Sequence, residues 1–196
     1  FYNLAMVHLD LRDFPKTRES MELAIQANGQ VANYHYKLGS ILLQLEEPDL
    51  QGAKAAFERA REMYIELHGT EDHPGVAGAL HNLAYVHLKE GDPRKAVAVL
   101  RRALEIHERC HGGRDTARLA ATEVVLAVVL LQLGELTEGQ QRAKHALRIL
   151  NTVNPNHASI RHLALQWPEL RIPGTSRRRR RTPRGSPRAR PRRPSR

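Results

Sequence analysis

Residues 77–110, AGALHNLAYVHLKEGDPRKAVAVLRRALEIHERC, decide the fold class of this chain. Apolar and small residues recur in them at helical spacing, in two bursts that are separated by Gly91-Asp92-Pro93. Glycine suits the left-handed residue that follows the last turn of a helix, and proline is accepted in the first turn of the next helix. The stretch therefore predicts two helices joined by a tight turn, a hairpin of 34 residues.

Small residues at fixed places in this hairpin recur in three other parts of the chain. Ala84, Ala96 and Ala103 stand where two helices can approach closely, because no large side chain lies between them. Leu83-Ala84 has counterparts at Leu4-Ala5, Leu38-Gly39 and Leu126-Ala127. The second helices carry matching residues at Thr17, Met21, Ala24, Ala53, Phe57, Ala60, Gly139, Ala143 and Ala146. Four copies predict a repeat protein whose hairpins stack on one another.

This pattern resembles the tetratricopeptide repeat family. The Leu-Gly/Ala pair, the larger residue near the helix end and the two later alanines of that family are carried here by Leu83-Ala84, His87, Ala96 and Ala103. The words EDHPGVA at 71–77, LHNLA at 80–84 and RALEI at 102–106 resemble the kinesin light chain type of repeat. The resemblance covers roughly residues 1–166 and implies an all-α fold, a right-handed α-solenoid of antiparallel helix hairpins.

The domain organisation follows from the repeat spacing and from the turn signals. We expect a repeat domain over 1–167, with four repeats, of which the first is incomplete, and a partial fifth helix at 157–167. Gly, Pro and Asn clusters divide the chain into helices; their predicted ranges are 1–11, 16–27 after a turn at 12–15, 31–45, 50–67, 77–89, 93–110, 117–133 and 137–150. We also expect Ala103→Leu to destabilise this fold more than Ala79→Leu, through overpacking.

The basic charge of the chain is confined to its C-terminal part. The formal net charge is +10, but twelve arginines and no acidic residue follow from Arg171 onward, so the preceding residues are close to neutral. A segment of this composition cannot bury a core. Residues 168–196 are therefore expected to form a disordered basic tail.

Composition also limits the compartment and the class of protein. Cys110 is the only cysteine, which excludes an internal disulfide and fits a reducing compartment. No apolar run approaches the roughly 18 residues that cross a bilayer, so we expect no membrane span. A cytoplasmic location follows, with nuclear import through the arginine tail as a second location. Because residue 1 is Phe and falls inside a predicted helix, we expect the chain to be part of a longer one.

One motif in the hairpin imitates a zinc protease. His107-Glu108-Arg109-Cys110-His111 has two histidines one helical turn apart and a glutamate between them. However, Gly112-Gly113 ends the helix at once, and no third ligand is evident downstream. We therefore expect no metal site, no cofactor and no catalytic residue, and a protein that is not an enzyme.

The resemblance implies a binding groove instead. In this family the first helix of each hairpin lines the concave side, and residues that flank the Leu-Ala pair project into it. Carried over, this peptide groove consists of Tyr2, Asn3, Tyr36, Lys37, Ser40, His81, Asn82, Tyr85 and Lys89. Asn3 and Asn82 stand where the kinesin light chain type has an asparagine that resembles an anchor for a peptide backbone. The alternative interpretation is that these are ordinary solvated or packed helix residues.

The fourth repeat differs from the others in this groove. Val124, Val125 and Val128 replace the polar residues, so we expect an apolar patch that either a partner helix or the fifth helix covers.

Two hypotheses of function follow. The first is a non-enzymatic adaptor or scaffold that holds a peptide or helix of a protein partner in the concave groove. The second is association of the arginine tail with nucleic acid or with an acidic surface, which would be non-specific because no aromatic residues are interleaved.

Overall fold

The computed structural model describes residues 1–111 and 116–153, and all regular secondary structure within these ranges is α-helical. The helices are α1 (Tyr2–Asp10), α2 (Phe14–Ala27), α3 (Ala32–Leu42), α4 (Leu50–His68), α5 (Pro74–Lys89), α6 (Pro93–His111), α7 (Ala117–Gln132) and α8 (Leu136–Val153). Each odd-numbered helix packs antiparallel to the helix that follows it, and each even-numbered helix packs on the next hairpin. The predicted α-solenoid of hairpins is thus confirmed, whereas the predicted fifth helix and basic tail lie outside the described residues.

The second helices begin at aspartate caps. The Oδ1 atoms of Asp13, Asp49 and Asp92 accept hydrogen bonds from main-chain N–H groups three residues on, at 3.2, 2.8 and 3.0 Å. Such a bond satisfies one of the free N–H groups of the first turn, and its loss costs about 1 kcal/mol. The three matching caps set the same starting point for α2, α4 and α6.

The turns of the first, third and fourth hairpins each use one left-handed residue, whereas the turn between α3 and α4 uses none. Gly91 and Gly134 occupy it with φ of 80° and 83°, as the sequence predicts for Gly91. At the equivalent place in the first hairpin stands Arg12, with φ of 57°. A residue with a Cβ is strained in this conformation, so the first turn is less well suited than the other two.

Helix contacts run through the small residues that the repeat pattern singled out. Ala5, Gly39, Ala84 and Ala127 are all buried. A Cβ placed on Gly39 would lie 2.8 Å from the Phe57 ring. The alanines of the second helices are equally enclosed; they are Ala53, Ala60, Ala96, Ala103, Ala143 and Ala146. The structure confirms that absent side-chain volume sets the distance between helices.

The leucines that precede the small residue in each repeat differ in burial more than the sequence suggests. Leu83 is 4% exposed, whereas Leu4 is 48% exposed, and Val7 on the same helix and the flanking residues Phe1 and Leu11 are exposed too. In α3, α5 and α7 the preceding even-numbered helix packs nearby, and α1 has no preceding helix among those described. The first copy therefore repeats the sequence pattern without repeating its burial.

Several helix ends differ from the prediction, and α5 begins at Pro74, three residues before the predicted start at 77. Helix α3 ends at Leu42 rather than near Leu45, because Gln44 N–H already bonds back to Ile41 O at 2.8 Å, and Asp49 N–H donates to Leu42 O at 3.1 Å across a wider turn. Helix α8 extends from Leu136 to Val153, beyond the predicted 137–150.

A buried charge joins α7 to α8. Glu123 is 1% exposed, and its Oε1 accepts hydrogen bonds from Arg142 Nη1 at 3.1 Å and from His145 Nδ1 at 3.0 Å. Removing one partner of a buried ion pair leaves an uncompensated charge, which is strongly destabilising. Glu123 therefore fixes how the last described hairpin closes.

The chain also offers a sharper control for Ala103→Leu than Ala79→Leu. Ala79 is as completely buried as Ala103, because α5 packs against α4 as well as α6, so the two positions are not a contrast. Ala98 lies in the same helix as Ala103 and is exposed. We expect Ala103→Leu to lower the free energy of unfolding by about 1–3 kcal/mol and Ala98→Leu to leave it nearly unchanged, as measured by urea denaturation. Equal loss in both variants would contradict the contact that we describe.

Arg12 gives a second prediction, on stability. We expect Arg12→Gly to raise the free energy of unfolding by about 0.5–1 kcal/mol, because glycine removes the strain of the left-handed conformation. Gly91→Ala is the matched opposite change: a Cβ there meets nothing within 4 Å, so its destabilisation reports backbone strain alone. Thermal melting of both variants checks the pair, and a destabilised Arg12→Gly would refute the assignment of strain.

Candidate functional site

The first helices of successive hairpins touch one another through one equivalent position. Tyr2 of α1 stacks on Tyr34 of α3, with ring centroids 4.8 Å apart. The Tyr36 ring of α3 lies against Gly78 of α5, where an added Cβ would be 3.5 Å from it. At the same position of α5, His81 Nδ1 lies 3.1 Å from Thr122 Oγ1 of α7. The four first helices therefore form one continuous layer.

Tyr2, Tyr36 and His81 thus serve as joints between hairpins. All three are half-buried, and Tyr36 also meets the edge of Phe57 with ring centroids 5.8 Å apart. The structure gives these members of the predicted groove a structural contact in addition to any contact with a ligand. The other predicted residues lie beside them, and we use the name first-helix face for Asn3, Lys37, Ser40, Asn82, Tyr85 and Lys89.

Helix α5 carries the most developed part of the first-helix face. Asn82, Tyr85 and Lys89 follow one another at helical spacing of three and four residues, on one stripe. Tyr85 is 42% exposed, and Lys89 Nζ lies 5.4 Å from its ring centroid, within cation–π range. The side chain of Asn82 is half-buried and makes no hydrogen bond to any residue that the structure describes. This stripe places an amide, an aromatic ring and an ammonium side by side on α5.

The other residues of the first-helix face differ in whether their polar groups already have a hydrogen-bond partner. Asn3 is exposed and Lys37 half-buried, and neither side chain forms an ion pair or hydrogen bond within the described ranges. Ser40 is engaged locally, because its Oγ donates to the main-chain carbonyl of Tyr36 at 3.1 Å. Ser40 can therefore offer a ligand only its lone pairs.

The first helices carry few acidic residues. Across α1, α3, α5 and α7 the only carboxylates are Asp10 and Glu123, and Glu123 is buried against Arg142 and His145. Lys37 and Lys89 lie on the first-helix face itself. The face is therefore positive, and it carries no carboxylate of its own.

The valines of the fourth repeat divide into core and surface. Val124 is buried in the core between α6, α7 and α8, while Val125 and Val128 are half-buried beside it. Val124 is thus a core residue and not part of an apolar patch in the groove. The fifth helix that was expected to cover this patch lies outside the described residues.

The zinc-like motif is built into helix packing. His107 is 2% exposed on α6, and burial raises the pKa of the Cys110 thiol. Among residues 1–111 and 116–153 there is no group of three or more His, Cys, Asp or Glu side chains arranged to hold a metal ion. Within the same ranges no helix is long and apolar enough to cross a membrane.

Two histidines near the face were not predicted to act as hydrogen-bonding groups. His73 caps α5, because its Nδ1 accepts from Gly75 N–H at 3.0 Å, and its ring stacks on His68 with centroids 3.8 Å apart. Burial, and then the nearby His68, lower the pKa of His73. Burial alone lowers the pKa of His81. The only sequence signal for the cap was the position of His73 directly before Pro74.

Antiparallel hairpins that stack through small residues, and that present a layer of first helices, define a helical-repeat solenoid. Comparison with known proteins supplies the family. Residues 30–109 match the family model described as tetratricopeptide repeat, so these residues carry tetratricopeptide repeats, as the sequence predicted. None of the curated proteins matches the chain by sequence.

Solved structures share the fold over most of the chain. BtubC (BKLC) from P. vanneervenii is 27% identical with a TM-score of 0.69, and the match covers 80% of this chain and 64% of that one. The chain thus spans less than two thirds of BtubC. A Podosopora anserina putative kinesin light chain with nearly identical TPR-like repeats is 19% identical, with a TM-score of 0.66 over 85% of this chain and 83% of that one. YrrB, described as a TPR protein with an unusual peptide-binding site, is 18% identical, with a TM-score of 0.54 over 86% and 75% of the two chains.

The lowered histidine pKa values predict a loss of stability in mild acid. The folded-state pKa of His73 lies below its unfolded value of about 6.5, so the unfolded chain binds the proton first. Stability is then complete above about pH 6.5 and falls as the pH decreases through the folded pKa. Asn accepts a capping bond but does not titrate in this range, so His73→Asn should lose less stability between about pH 7.5 and 5 than the native chain. Urea midpoints measure this, and parallel losses would contradict it.

Proposed function

We propose that this protein is a non-enzymatic adaptor or scaffold, and that its first-helix face binds a peptide or helix of another protein. Tetratricopeptide repeats support protein-protein interaction in general. The observation that carries the finer proposal is the α5 stripe, where Asn82, Tyr85 and Lys89 lie in line and keep their polar groups available.

The chemistry of the stripe favours a segment with an accessible main chain. The Asn82 carboxamide offers one acceptor and two donors, which matches the alternating donors and acceptors of a peptide backbone. Tyr85 adds a broad, rigid contact surface with little conformational entropy to lose. Both groups are already held by a helix that packs on two neighbours, so binding orders few additional atoms.

The charge of the face favours carboxylates in the bound segment. Lys37 and Lys89 would attract acidic side chains, and the first-helix face has no carboxylate to repel them. We therefore propose a partner segment with acidic residues near the position that meets α5. The description of YrrB supports peptide binding only through the shared fold, since the identity is 18%.

A second candidate function rests on the arginine tail. Eleven arginines without an acid between residues 177 and 196 would release counterions from nucleic acid or anionic surfaces. We propose that such binding is non-specific and falls steeply with salt. DNA and RNA affinity against salt, with and without residues 171–196, tests it, and equal affinity of the truncated chain would eliminate the tail as the binder. The tail would also be the element that directs an otherwise cytoplasmic protein to the nucleus.

Peptide selection with substitutions of the stripe tests the main proposal. A random display library of peptides of about twelve residues is panned against the full chain, and the affinity of selected peptides is measured by fluorescence anisotropy. We expect Asn82→Ala to weaken binding about tenfold, the equivalent of about 1.4 kcal/mol, because a buried main-chain hydrogen bond is lost. Tyr85→Ala and Lys89→Glu should weaken it as well.

Arg94→Glu is the matched control for Lys89→Glu. Arg94 is an exposed residue of α6, so the same charge reversal occurs away from the first-helix face. Its effect should be less than twofold. If Arg94→Glu weakens binding as much as Lys89→Glu, or if all three stripe variants bind normally, the peptide lies elsewhere.

A further inference from the structure

The contact between His81 and Thr122 belongs to a chain of hydrogen bonds that ends on α7. Thr122 Oγ1 lies 3.1 Å from His81 Nδ1, and it lies 3.1 Å from the main-chain carbonyl of Arg118, to which it donates. Thr122 is buried, so its hydroxyl does not hydrogen-bond to bulk water. A hydroxyl has one hydrogen to donate.

Both contacts can be hydrogen bonds only in one arrangement. The carbonyl of Arg118 cannot donate, so Thr122 must give it the hydroxyl hydrogen. The remaining lone pair of Thr122 Oγ1 then accepts from His81, which requires the hydrogen of the neutral imidazole to be on Nδ1. The other ring nitrogen, Nε2, is left as an unprotonated acceptor.

The acceptor is open to a ligand. Nε2 of His81 makes no hydrogen bond to a residue in the described part of the chain, and it is not among the fully buried polar atoms there. His81 directly precedes Asn82 and lies one helical turn before Tyr85, so it adjoins the α5 stripe along the helix. A lone pair in this position is complementary to an N–H or O–H group.

We propose that Thr122 fixes His81 in the Nδ1–H form, and that His81 Nε2 thereby recognises a hydrogen-bond donor of the bound segment, a main-chain N–H or a side-chain N–H or O–H. The proposal deepens the proposed function and rests on it for the identity of the ligand. It gives α5 two different polar groups in succession: His81 only accepts, whereas Asn82 both donates and accepts. A segment that presents a carbonyl to His81 is rejected, because two acceptors would face each other.

The surroundings of His81 keep the imidazole neutral. On its own helix the nearest titratable group on the same side is Tyr85; α3 contributes Tyr36, which reaches α5 at Gly78. From α7 come Arg118, whose carbonyl belongs to the bond chain, and Glu123, whose Oε1 is engaged by Arg142 and His145. Burial lowers the pKa of His81 below its usual value, so the acceptor persists through neutral pH. Protonation turns Nε2 into a donor, and binding then weakens as the pH falls through that pKa.

The first experiment examines the free protein. With ¹⁵N-labelled histidine, a long-range ¹H–¹⁵N correlation spectrum distinguishes a protonated ring nitrogen from an unprotonated one. We expect His81 to show a protonated Nδ1 and an unprotonated Nε2 at pH 7.5. Thr122→Val removes the hydroxyl at nearly constant volume, and should return His81 to a mixture of the two tautomers. A native spectrum with the proton on Nε2 overturns the proposal.

The second experiment uses a peptide selected from the display library. His81→Phe keeps a ring in the joint but removes the acceptor, and should weaken binding about fivefold, whereas His81→Asn retains an acceptor and should recover part of it. Each N–H of the peptide backbone is then removed in turn by N-methylation, and each side-chain donor by substitution. One of these changes should weaken binding to the native protein severalfold and leave binding to the His81→Phe variant unchanged. Absence of such a position overturns the proposal.

The pH dependence separates an acceptor from a merely structural residue. Between about pH 7.5 and 5, binding should weaken severalfold for the native chain and much less for His81→Phe. Equal pH dependence counts against the assignment. If the library yields no peptide at all, the proposed function fails and the ligand role of His81 falls with it, while the tautomer spectrum still decides whether Thr122 fixes the ring.

Discussion

Close approach of helices through missing side-chain volume is the constraint on which this structure depends. Where Ala84, Ala103 and Ala127 stand, a larger residue would separate helices whose apolar stripes need each other for burial. Neighbouring hairpins then contact along their whole length, and the first helices fall into one layer. That layer places polar groups from different repeats on one face, although they are more than 30 residues apart in sequence.

Residues of the first helices divide by position between contacts with the next hairpin and accessible surface. Tyr2, Tyr36 and His81 connect one hairpin to the next, while Asn82 and Tyr85 remain available to a ligand. Because the joints are half-exposed, a bound segment would touch the contacts that set the angle between hairpins.

The sequence predicted the fold well because repetition multiplies a weak local signal. Hairpin turns at Gly91 and the buried alanines were readable from spacing alone. The exposure of Leu4 could not be predicted in this way, because the burial of this position depends on a neighbouring helix and not on the repeat itself. The link between His81 and Thr122 joins residues of two different repeats, 41 positions apart. Such pair contacts require coordinates, and the predicted site could therefore be named by position but not by role.

The glycine of the second hairpin determines how the repeats can be exchanged. Gly39 leaves room for the Phe57 ring, whereas the third hairpin pairs Ala84 with the smaller Leu100. A chimaera of α5 with α4 would bring the Ala84 side chain against the Phe57 ring, and one of α3 with α6 would leave a hole beside Gly39, but a transfer of both helices of a hairpin would keep the fit. The unit of this fold that can be exchanged without repacking is thus the whole hairpin and not the single helix.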